Sequence, residues 1–555
     1  MPNDLNDPND LNDPNGSNDL NDPNGSNDPN DSNDPNDSND PNGSNDPNCS
    51  TKFVRSRWLF LRLLALVYLI AFTSLGVQIT GLVGERGIMP VGDFLRRAYE
   101  VYGSRAYVLW PTLTWFSPTD TLLVLLCCAG IAISILLLAG IVPIVVAAAL
   151  WLLYLSLNIA GQEFLQFQWD ALLLETGLLA ILYAPLALRS HLHSDREPPP
   201  IVRWVLWSLA FKLTFLSGIT KILSGDPTWA NLTALKYHYE TQPLPGWTSW
   251  FMYQLPAPVH SWFAGGMMGI ELVVPWLVFA PPRWPRVRFT AAVLMIALQI
   301  GIAATGNYGF FNLLTIVLYL ALLDDRTLEF LVLRFGRRFG RRLPVRQEAR
   351  PLAPLATRLG TTWSFGASSI AIVIAVLSAM TIFREIDTTW GRVTALDRFW
   401  SPRLLAWAEP INSINGYGLF RVMTTDRPEI VMEVSADGTT WKEQEFRWKP
   451  GDLTHRPAFV QPHMPRLDWQ MWFAALDLLS AQSWLTRLIE RRLDGEANVT
   501  RLLDADPLPG TARYARLAYY RYHFTTPAER SRTGAWWKRE FIGYLTDPLG
   551  PRSVR

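Results

Sequence analysis

The stretch Phe211–Trp250 reads FKLTFLSGITKILSGDPTWANLTALKYHYETQPLPGWTSW and contains the junction around which the chain is organised. Its first half continues an apolar run that begins at Ile201 and is long enough to cross a bilayer. That run contains Lys212 and Lys221, at a depth where a charge costs several kcal/mol. The second half is rich in aromatic and polar side chains, a composition typical of segments at a membrane–water interface. The stretch therefore predicts a membrane span that leaves the bilayer into an interfacial segment.

The composition excludes several classes of protein. The chain has 555 residues, a formal net charge of +1 and three cysteines. A balanced charge gives no argument for a nucleic-acid partner, and Cys49, Cys127 and Cys128 provide neither a disulfide framework nor a metal site. We therefore expect no nucleic-acid partner, no metal and no cofactor, and we expect the lipid bilayer to be the main surroundings.

The N-terminal segment 1–52 repeats Asn, Asp, Pro, Ser and Gly and contains almost no apolar residue that could build a core. Such a segment is expected to be disordered. The apolar run 58–80 that follows is long enough to span a membrane, and the segment before it lacks the features of a cleavable signal peptide. This run is therefore predicted to be an uncleaved anchor.

Apolar runs of spanning length predict a polytopic α-helical membrane protein of about nine spans, within residues 53–383. The segments 81–120 and 224–261 are expected to be its outer loops. Basic residues cluster in links on one side, most densely between 334 and 350. The positive-inside rule then places the N-terminus in the cytoplasm and everything after residue 384 outside. The nine runs are 58–80, 121–139, 141–160, 169–188, 201–223, 262–280, 289–304, 306–323 and 366–383.

After Phe383 the pattern changes to an alternation of apolar and polar residues, which predicts strands. Asp437-Gly438 is typical of a turn between two strands. Asp468 is predicted to be the N-cap of a helix that includes Trp472 on its apolar face. Residues 384–555 are therefore expected to form a β-rich extramembrane α+β domain at the C-terminus. The predicted strands are Leu419–Met423, Ile430–Val434, Trp441–Trp448 and Tyr514–Phe524.

Six long motifs occur in a fixed order: FQWDALLLETG at 167–177, NLTALKYHYETQPLPGW at 231–247, NYGFFNLLT at 307–315, NGYGLFRVMT at 415–424, EVSADGTTWKEQEFRWKPGD at 433–452 and PRLDWQMWFAAL at 465–476. Together they resemble the lipase maturation factor family over nearly everything from about 55 to 545. The resemblance implies a multi-spanning protein of the endoplasmic reticulum membrane whose lumenal parts help secreted lipases to reach their active form. It also implies that the C-terminal part is associated with the client. The candidate client-binding residues are Arg466, Asp468, Trp469 and Trp472.

A shorter resemblance concerns Lys221. The segment GITKILSGDPTW at 218–229 is similar to the lysine-containing segment of vitamin K-dependent carboxylase and its bacterial relatives, in which a lysine serves as a base. That resemblance implies an integral-membrane enzyme with Lys221 as the base in a desolvated pocket. The structural alternative is a lysine that extends to the interface and has no chemical role.

Several ionisable residues near the junction are candidates for a functional or structural polar cluster. From their depth along neighbouring spans, Lys221 is predicted to pair with Asp170 or Glu175, and an internal ion pair is expected for Lys212. His238 and Glu240 of the KYHYETQP segment are expected to form structural hydrogen bonds rather than to bind a metal. The complete set is Asp170, Glu175, Lys212, Lys221, His238 and Glu240.

Two hypotheses follow for function. The first is a membrane-anchored, non-enzymatic maturation or assembly factor for secreted clients, by resemblance lipases, and the second is the integral-membrane enzyme described above. The expected location is the membrane of the endoplasmic reticulum, or the inner membrane if the source is a bacterium. Asn231 and Asn498 begin Asn-X-Thr sequons and are glycosylation acceptors if the source has a secretory pathway.

Overall fold

The computed structural model describes residues 52–190, 192, 195–281, 283–336, 354–391 and 402–550. The tail predicted to be disordered lies outside the described residues except for Lys52, as does most of the arginine-rich link before the last span. The described residues belong to one compact unit.

Helices make up the first three quarters of the described chain. Seven of them are long and apolar enough to cross a membrane, counted within the described ranges: Val54–Gly76, Asp120–Ala139, Pro143–Ala160, Pro200–Leu223, Ala257–Phe279, Pro285–Thr305 and Leu359–Trp390. Among the described residues the α-helices are α1 (Val54–Gly76), α2 (Ile79–Val83), α3 (Val91–Tyr102), α4 (Ala106–Leu109), α5 (Asp120–Ala139), α6 (Pro143–Ala160), α7 (Gln168–Tyr183), α8 (Pro200–Leu223), α9 (Pro227–Ala230), α10 (Ala234–Thr241), α11 (Trp247–Tyr253), α12 (Ala257–Leu272), α13 (Pro285–Thr305), α14 (Phe311–Leu320), α15 (Asp325–Gly336), α16 (Pro354–Trp390), α17 (Pro402–Ala408), α18 (Arg466–Leu476), α19 (Leu478–Leu493), α20 (Ala497–Thr500) and α21 (Pro527–Thr533).

The predicted membrane class is confirmed, whereas the count of about nine spans is not. Two of the nine apolar runs form helices that are shorter than a span, α7 with 16 residues and α14 with 10 residues. At 1.5 Å per residue, α14 covers about 15 Å, which is half of the bilayer's apolar thickness of about 30 Å. These two short helices lie inside the bundle, since most of their residues are buried.

Close packing of the bundle depends on small residues at helix crossings. A Cβ atom at Gly130 of α5 would overlap the ring of Phe72 of α1. Only glycine allows the two helices to approach each other this closely. One continuous hydrophobic core extends from α1 through the bundle to strand residues such as Met432. The extramembrane domain and the bundle therefore share one core.

The extramembrane domain contains a four-stranded antiparallel sheet made of β1 (Arg427–Ser435), β2 (Lys442–Gln444), β3 (Tyr514–Phe524) and β4 (Trp537–Tyr544). The order of the strands in the sheet is β2-β1-β3-β4. The predicted strand Tyr514–Phe524 is confirmed at both ends, and Ile430–Val434 lies within a longer strand. Only three residues of the predicted strand Trp441–Trp448 form a strand, β2. The strand at the opposite edge of the sheet, β4, was not predicted.

The prediction of a strand at Leu419–Met423 is wrong. Phe420 has a φ of 53°, in the left-handed region, which no strand contains. Its carbonyl accepts a hydrogen bond from Nε1 of Trp229 at 3.0 Å, and the N–H of Met423 donates to Asp226 at 2.6 Å. The backbone of this segment is therefore bonded to the junction after α8 and not to the sheet.

The prediction that Asp468 is an N-cap is also wrong. Helix α18 begins at Arg466, directly after Pro465, so that Asp468 lies in its first turn. Its Oδ1 atom accepts hydrogen bonds from the N–H groups of Trp448 (2.8 Å) and Lys449 (3.0 Å). The carboxylate thus satisfies the backbone of the loop after β2 instead of its own helix end, although the predicted helix itself is confirmed.

Candidate functional site

Arg466 and Asp170 form a buried ion pair between the extramembrane domain and the bundle. Nη1 of Arg466 lies 2.8 Å from Oδ2 of Asp170 and Nη2 lies 2.7 Å from Oδ1. Both side chains are at most 1% exposed, and the hydroxyl of Tyr154 donates to Oδ1 at 2.5 Å. A bidentate pair of this kind fixes orientation as well as distance. It joins the start of α18 to the start of α7.

Lys212 and Glu175 form a second buried pair, as expected for an internal partner of Lys212. Nζ of Lys212 lies 2.5 Å from Oε1 of Glu175, and both side chains are 1% exposed. The other oxygen, Oε2, accepts hydrogen bonds from the hydroxyl of Tyr417 at 2.8 Å and from the N–H of Asn415 at 3.2 Å. Glu175 therefore connects α7, α8 and the segment that enters the extramembrane domain.

Lys221 pairs with Glu271, and the prediction that it pairs with Asp170 or Glu175 is wrong. Nζ of Lys221 lies 2.9 Å and 2.7 Å from the two oxygens of Glu271. The physical reason is that Asp170 and Glu175 are already bonded to Arg466 and Lys212, while α8 packs against α12 at the depth of Lys221. The depth argument considered only consecutive spans.

His238 and Glu240 lie on α10 but have different partners. Nε2 of His238 is 3.1 Å from the hydroxyl of Tyr308. Burial, assisted by the charge of Lys221, lowers the pKa of His238 to about 4, so that the imidazole is neutral at physiological pH. Oε1 of Glu240 accepts from Nδ1 of His523 at 3.0 Å and from the N–H of Phe524 at 2.7 Å. Glu240 thus fixes α10 to β3.

All four candidate client-binding residues are buried, with exposed fractions of 1 to 7%. Trp472 donates from Nε1 to the carbonyl of Thr241 at 2.8 Å, so that it holds α18 against α10. In this conformation Arg466, Trp469 and Trp472 support the interface between the domain and the bundle, whereas Asp468 bonds to a loop of the domain itself. The role of all four in client binding stays a prediction. The four are Arg466, Asp468, Trp469 and Trp472.

Two partners in buried ion pairs were missed in the sequence. Glu271 is the only carboxylate in the apolar run 262–280, and a carboxylate in a span needs a cation, so this signal was available. Arg427 at the start of β1 is fully buried beside Glu429, and its guanidinium donates to the carbonyls of Glu240 (2.7 Å) and Pro243 (3.0 Å). No sequence pattern distinguishes Arg427 from a solvent-facing arginine of an edge strand.

The described residues contain no group of three or more His, Cys, Asp or Glu side chains that could hold a metal. Of the two sequon asparagines, Asn231 is exposed after α9 and Asn498 is partly buried in α20. Their glycosylation stays a prediction.

The fold and these ion pairs define a polytopic α-helical membrane protein whose extramembrane α+β domain is fixed to its bundle by buried charges. The chain belongs to the lipase maturation factor family. The model of the lipase maturation factor transmembrane domain matches residues 55–330, and that of the lipase maturation factor C-terminal domain matches residues 413–547.

Relatives agree with this assignment over most of their length. Lipase maturation factor 2 of Mus musculus is 36% identical over an alignment of 589 positions, which covers 87% of this chain and 81% of the relative. The protein of the same name from Homo sapiens is also 36% identical, with 88% and 81% covered. Lipase maturation factor 1 of Bos taurus is 32% identical over 521 residues and 90% of each chain. No solved structure matches the chain. The relatives indicate a membrane maturation factor.

Proposed function

We propose that this protein is a membrane-anchored maturation factor that assists the folding or assembly of a secreted client, and that the client is a lipase. The names of its relatives support the lipase. The Arg466–Asp170 pair is the observation that carries the mechanism, because it fixes the extramembrane domain to a helix of the bundle. A client bound to this domain is held next to the membrane surface.

The edge strand β4 is the surface that we propose for the client. It has a neighbouring strand on one side only within the described sheet, and Phe541 and Ile542 are 49% and 48% exposed. An exposed strand edge with apolar side chains can pair with an extended segment of another chain. A lipase subunit that has not yet assembled exposes such segments, whereas the finished enzyme buries them and dissociates.

The enzymatic alternative has less support. Both carboxylate oxygens of Glu271 lie within hydrogen-bond distance of Nζ of Lys221, and a base must have a free lone pair to accept a proton. We therefore assign Lys221 a structural role. We also propose, from the positive-inside rule, that the extramembrane domain lies on the lumenal side of the endoplasmic reticulum membrane, or on the periplasmic side if the source is a bacterium.

A secretion assay tests the proposal. A dimeric secreted lipase is expressed with or without the full-length protein in cells that lack their own lipase maturation factors, and the activity of the secreted lipase is divided by its amount. We expect this specific activity to rise several-fold when the protein is present. Equal specific activity with and without the protein would contradict a maturation role.

A matched pair of variants tests the strand edge. Ile542→Lys places a charge on β4, and Val422→Lys places the same charge at a 61% exposed site elsewhere in the extramembrane domain. We expect only Ile542→Lys to lower the specific activity of the lipase, at equal abundance of the two variants. Equal effects of both variants would reject β4 as the client surface while leaving the maturation role in place.

A further inference from the structure

A cavity of about 550 Å³ lies beside the Lys221–Glu271 pair, among α8, α10, α12, α13 and α14. This volume is within the range of about 300–1,000 Å³ that small-molecule sites occupy. Most of the lining is apolar, with side chains such as Leu213, Met267 and Ile302. The cavity is therefore large enough for a ligand and suited to a hydrocarbon chain.

The mouth of the cavity lies between two membrane spans. Gly301 of α13 lines the cavity and is exposed, and a Cβ atom added there would meet no atom within 4 Å. Phe263 of α12 also lines the cavity and is 48% exposed. Because both helices are long and apolar enough to cross the membrane, a molecule that enters between them comes from the bilayer and not from water.

Two of the residues that line this cavity have buried polar atoms without a protein partner. Both amide atoms of Asn312 and the Oε1 atom of Gln299 have no hydrogen-bond partner among the residues that the structure describes. The two side chains are 3% and 7% exposed, and both residues line the cavity. Buried polar groups in proteins are almost always hydrogen-bonded. One amide donor and two amide acceptors together match a hydroxyl group, which both donates and accepts.

The charged groups in the lining cancel. Lys221 and Glu271 neutralise each other at 2.7 Å, and the imidazole of His238 is neutral because burial lowers its pKa to about 4. A carboxylate or an ammonium brought into this apolar space would have no counter-ion, and the cost of desolvating it would oppose binding. The lining therefore favours an uncharged ligand.

We propose that this cavity binds an uncharged lipid that has one hydrocarbon chain and a hydroxyl-bearing head group, with the head group at Asn312 and Gln299. Monoacylglycerols and long-chain alcohols share this chemistry. This inference goes beyond the maturation role and does not depend on it, since the secretion assay and lipid binding are measured separately.

The test uses the purified full-length protein in detergent and measures the shift of its unfolding temperature on addition of three lipids with the same chain. These are monooleoylglycerol, oleyl alcohol and oleate, at a pH where oleate is charged. We expect both hydroxyl lipids to raise the unfolding temperature and oleate to have little effect. A larger shift with monooleoylglycerol would identify a glycerol ester as the source, and a larger shift with the alcohol would identify the simpler lipid. An equal or larger shift with oleate would overturn the proposal.

A matched pair of glycine variants shows whether the lipid occupies this cavity. Gly301→Phe places a ring in the mouth, while Gly266→Phe makes the same change at an exposed glycine of α12 that does not line the cavity and also has open space around its Cβ position. We expect the lipid-induced shift to be lost in Gly301→Phe and kept in Gly266→Phe. A full shift in Gly301→Phe would overturn the assignment of the cavity.

The amide of Asn312 is tested by Asn312→Leu, which is similar in size and has no polar atoms. We expect this variant to be at least as stable as the unchanged protein without lipid, because it removes two unpartnered polar atoms, and to show at least a two-fold smaller shift with monooleoylglycerol. An unchanged shift would remove Asn312 from the site and overturn the proposed head-group position.

Discussion

The guanidinium of Arg466 lies 2.7 Å from Oδ1 of Asp170, although the two residues are 296 positions apart in the chain. Three buried carboxylates near the junction each have their own cation, in the pairs Arg466–Asp170, Lys212–Glu175 and Lys221–Glu271. Removing one partner of such a pair leaves an uncompensated buried charge. These pairs therefore specify which helices meet and where the extramembrane domain is held.

Arg466→Met is expected to lower the free energy of unfolding by about 3–5 kcal/mol, because Asp170 then stays buried without a cation. The control is Arg487→Met, which breaks the ion pair between Arg487 and Asp93. The side chains of these two residues are 36% and 33% exposed. An exposed pair contributes about 0–1 kcal/mol. Thermal and denaturant unfolding in detergent measures both variants, and equal losses would show that the Arg466–Asp170 pair does not hold the domain.

Lys221→Met is expected to lower the stability and abundance of the protein by leaving Glu271 unpaired, and Glu271→Leu in the same chain is expected to restore part of the loss. Lys236→Met, at an exposed position of α10, serves as the control. The abundance of folded protein in membranes is measured by fluorescence-detected gel filtration. Normal abundance of Lys221→Met together with a lost catalytic activity would instead support the enzyme hypothesis.

Asp468 is expected to make stability depend on pH. Burial raises the pKa of Asp468 to about 6, so between about pH 4 and pH 6 the folded state binds more protons at this group than the unfolded state. Its contribution to stability is therefore complete below about pH 4 and declines as the pH rises to 6, by at most about 1.4 kcal/mol per pH unit. Above pH 6 the decline ends.

Asp468→Asn isolates this effect, since the amide oxygen can still accept the hydrogen bonds of Trp448 and Lys449 without a charge. We expect the variant to gain stability relative to the unchanged protein as the pH rises from about 4 to about 6 in unfolding experiments. Asp468→Ala is expected to be less stable than Asp468→Asn by about 1–3 kcal/mol at every pH, because two buried N–H groups lose their acceptor. A constant difference in stability between Asp468→Asn and the unchanged protein across this pH range would contradict the raised pKa.

Patterns that depend on local sequence were predictable here. Strand β3 was predicted at both ends because Tyr520, Tyr522 and Phe524 alternate with Arg521 and His523 in its second half. The membrane spans were predicted from length and hydropathy alone, and the count failed where a run such as 306–323 is apolar because it is buried in the bundle rather than in lipid. Hydropathy does not distinguish these two environments.

Pairings across the fold were not predictable in the same way. Lys221 was correctly expected to need a partner or a purpose, but Glu271 becomes its partner only because α12 packs against α8. The neighbour of a helix depends on the packing of the whole bundle, and a single sequence shows only which spans are consecutive. For the same reason, Asp468 was assigned to its own helix end, although it bonds to a loop 20 residues earlier.

The orientation of the chain in the membrane is the last prediction. The arginine-rich links predict that Arg338 lies in the cytoplasm and the extramembrane domain outside. Seven spans in the described ranges, like the nine predicted runs, are an odd number, so both counts place the two ends of the bundle on opposite sides. In a chain whose three cysteines are replaced by serine, we therefore expect an impermeant thiol reagent to label Thr440→Cys but not Arg338→Cys in sealed cells. Thr440 is exposed in the turn after β1, whereas Tyr239 is only 5% exposed and would be a poor labelling position. Permeabilised cells provide the control, since both variants must then react. Labelling of Arg338→Cys before permeabilisation, or protection of Thr440→Cys, would contradict this orientation.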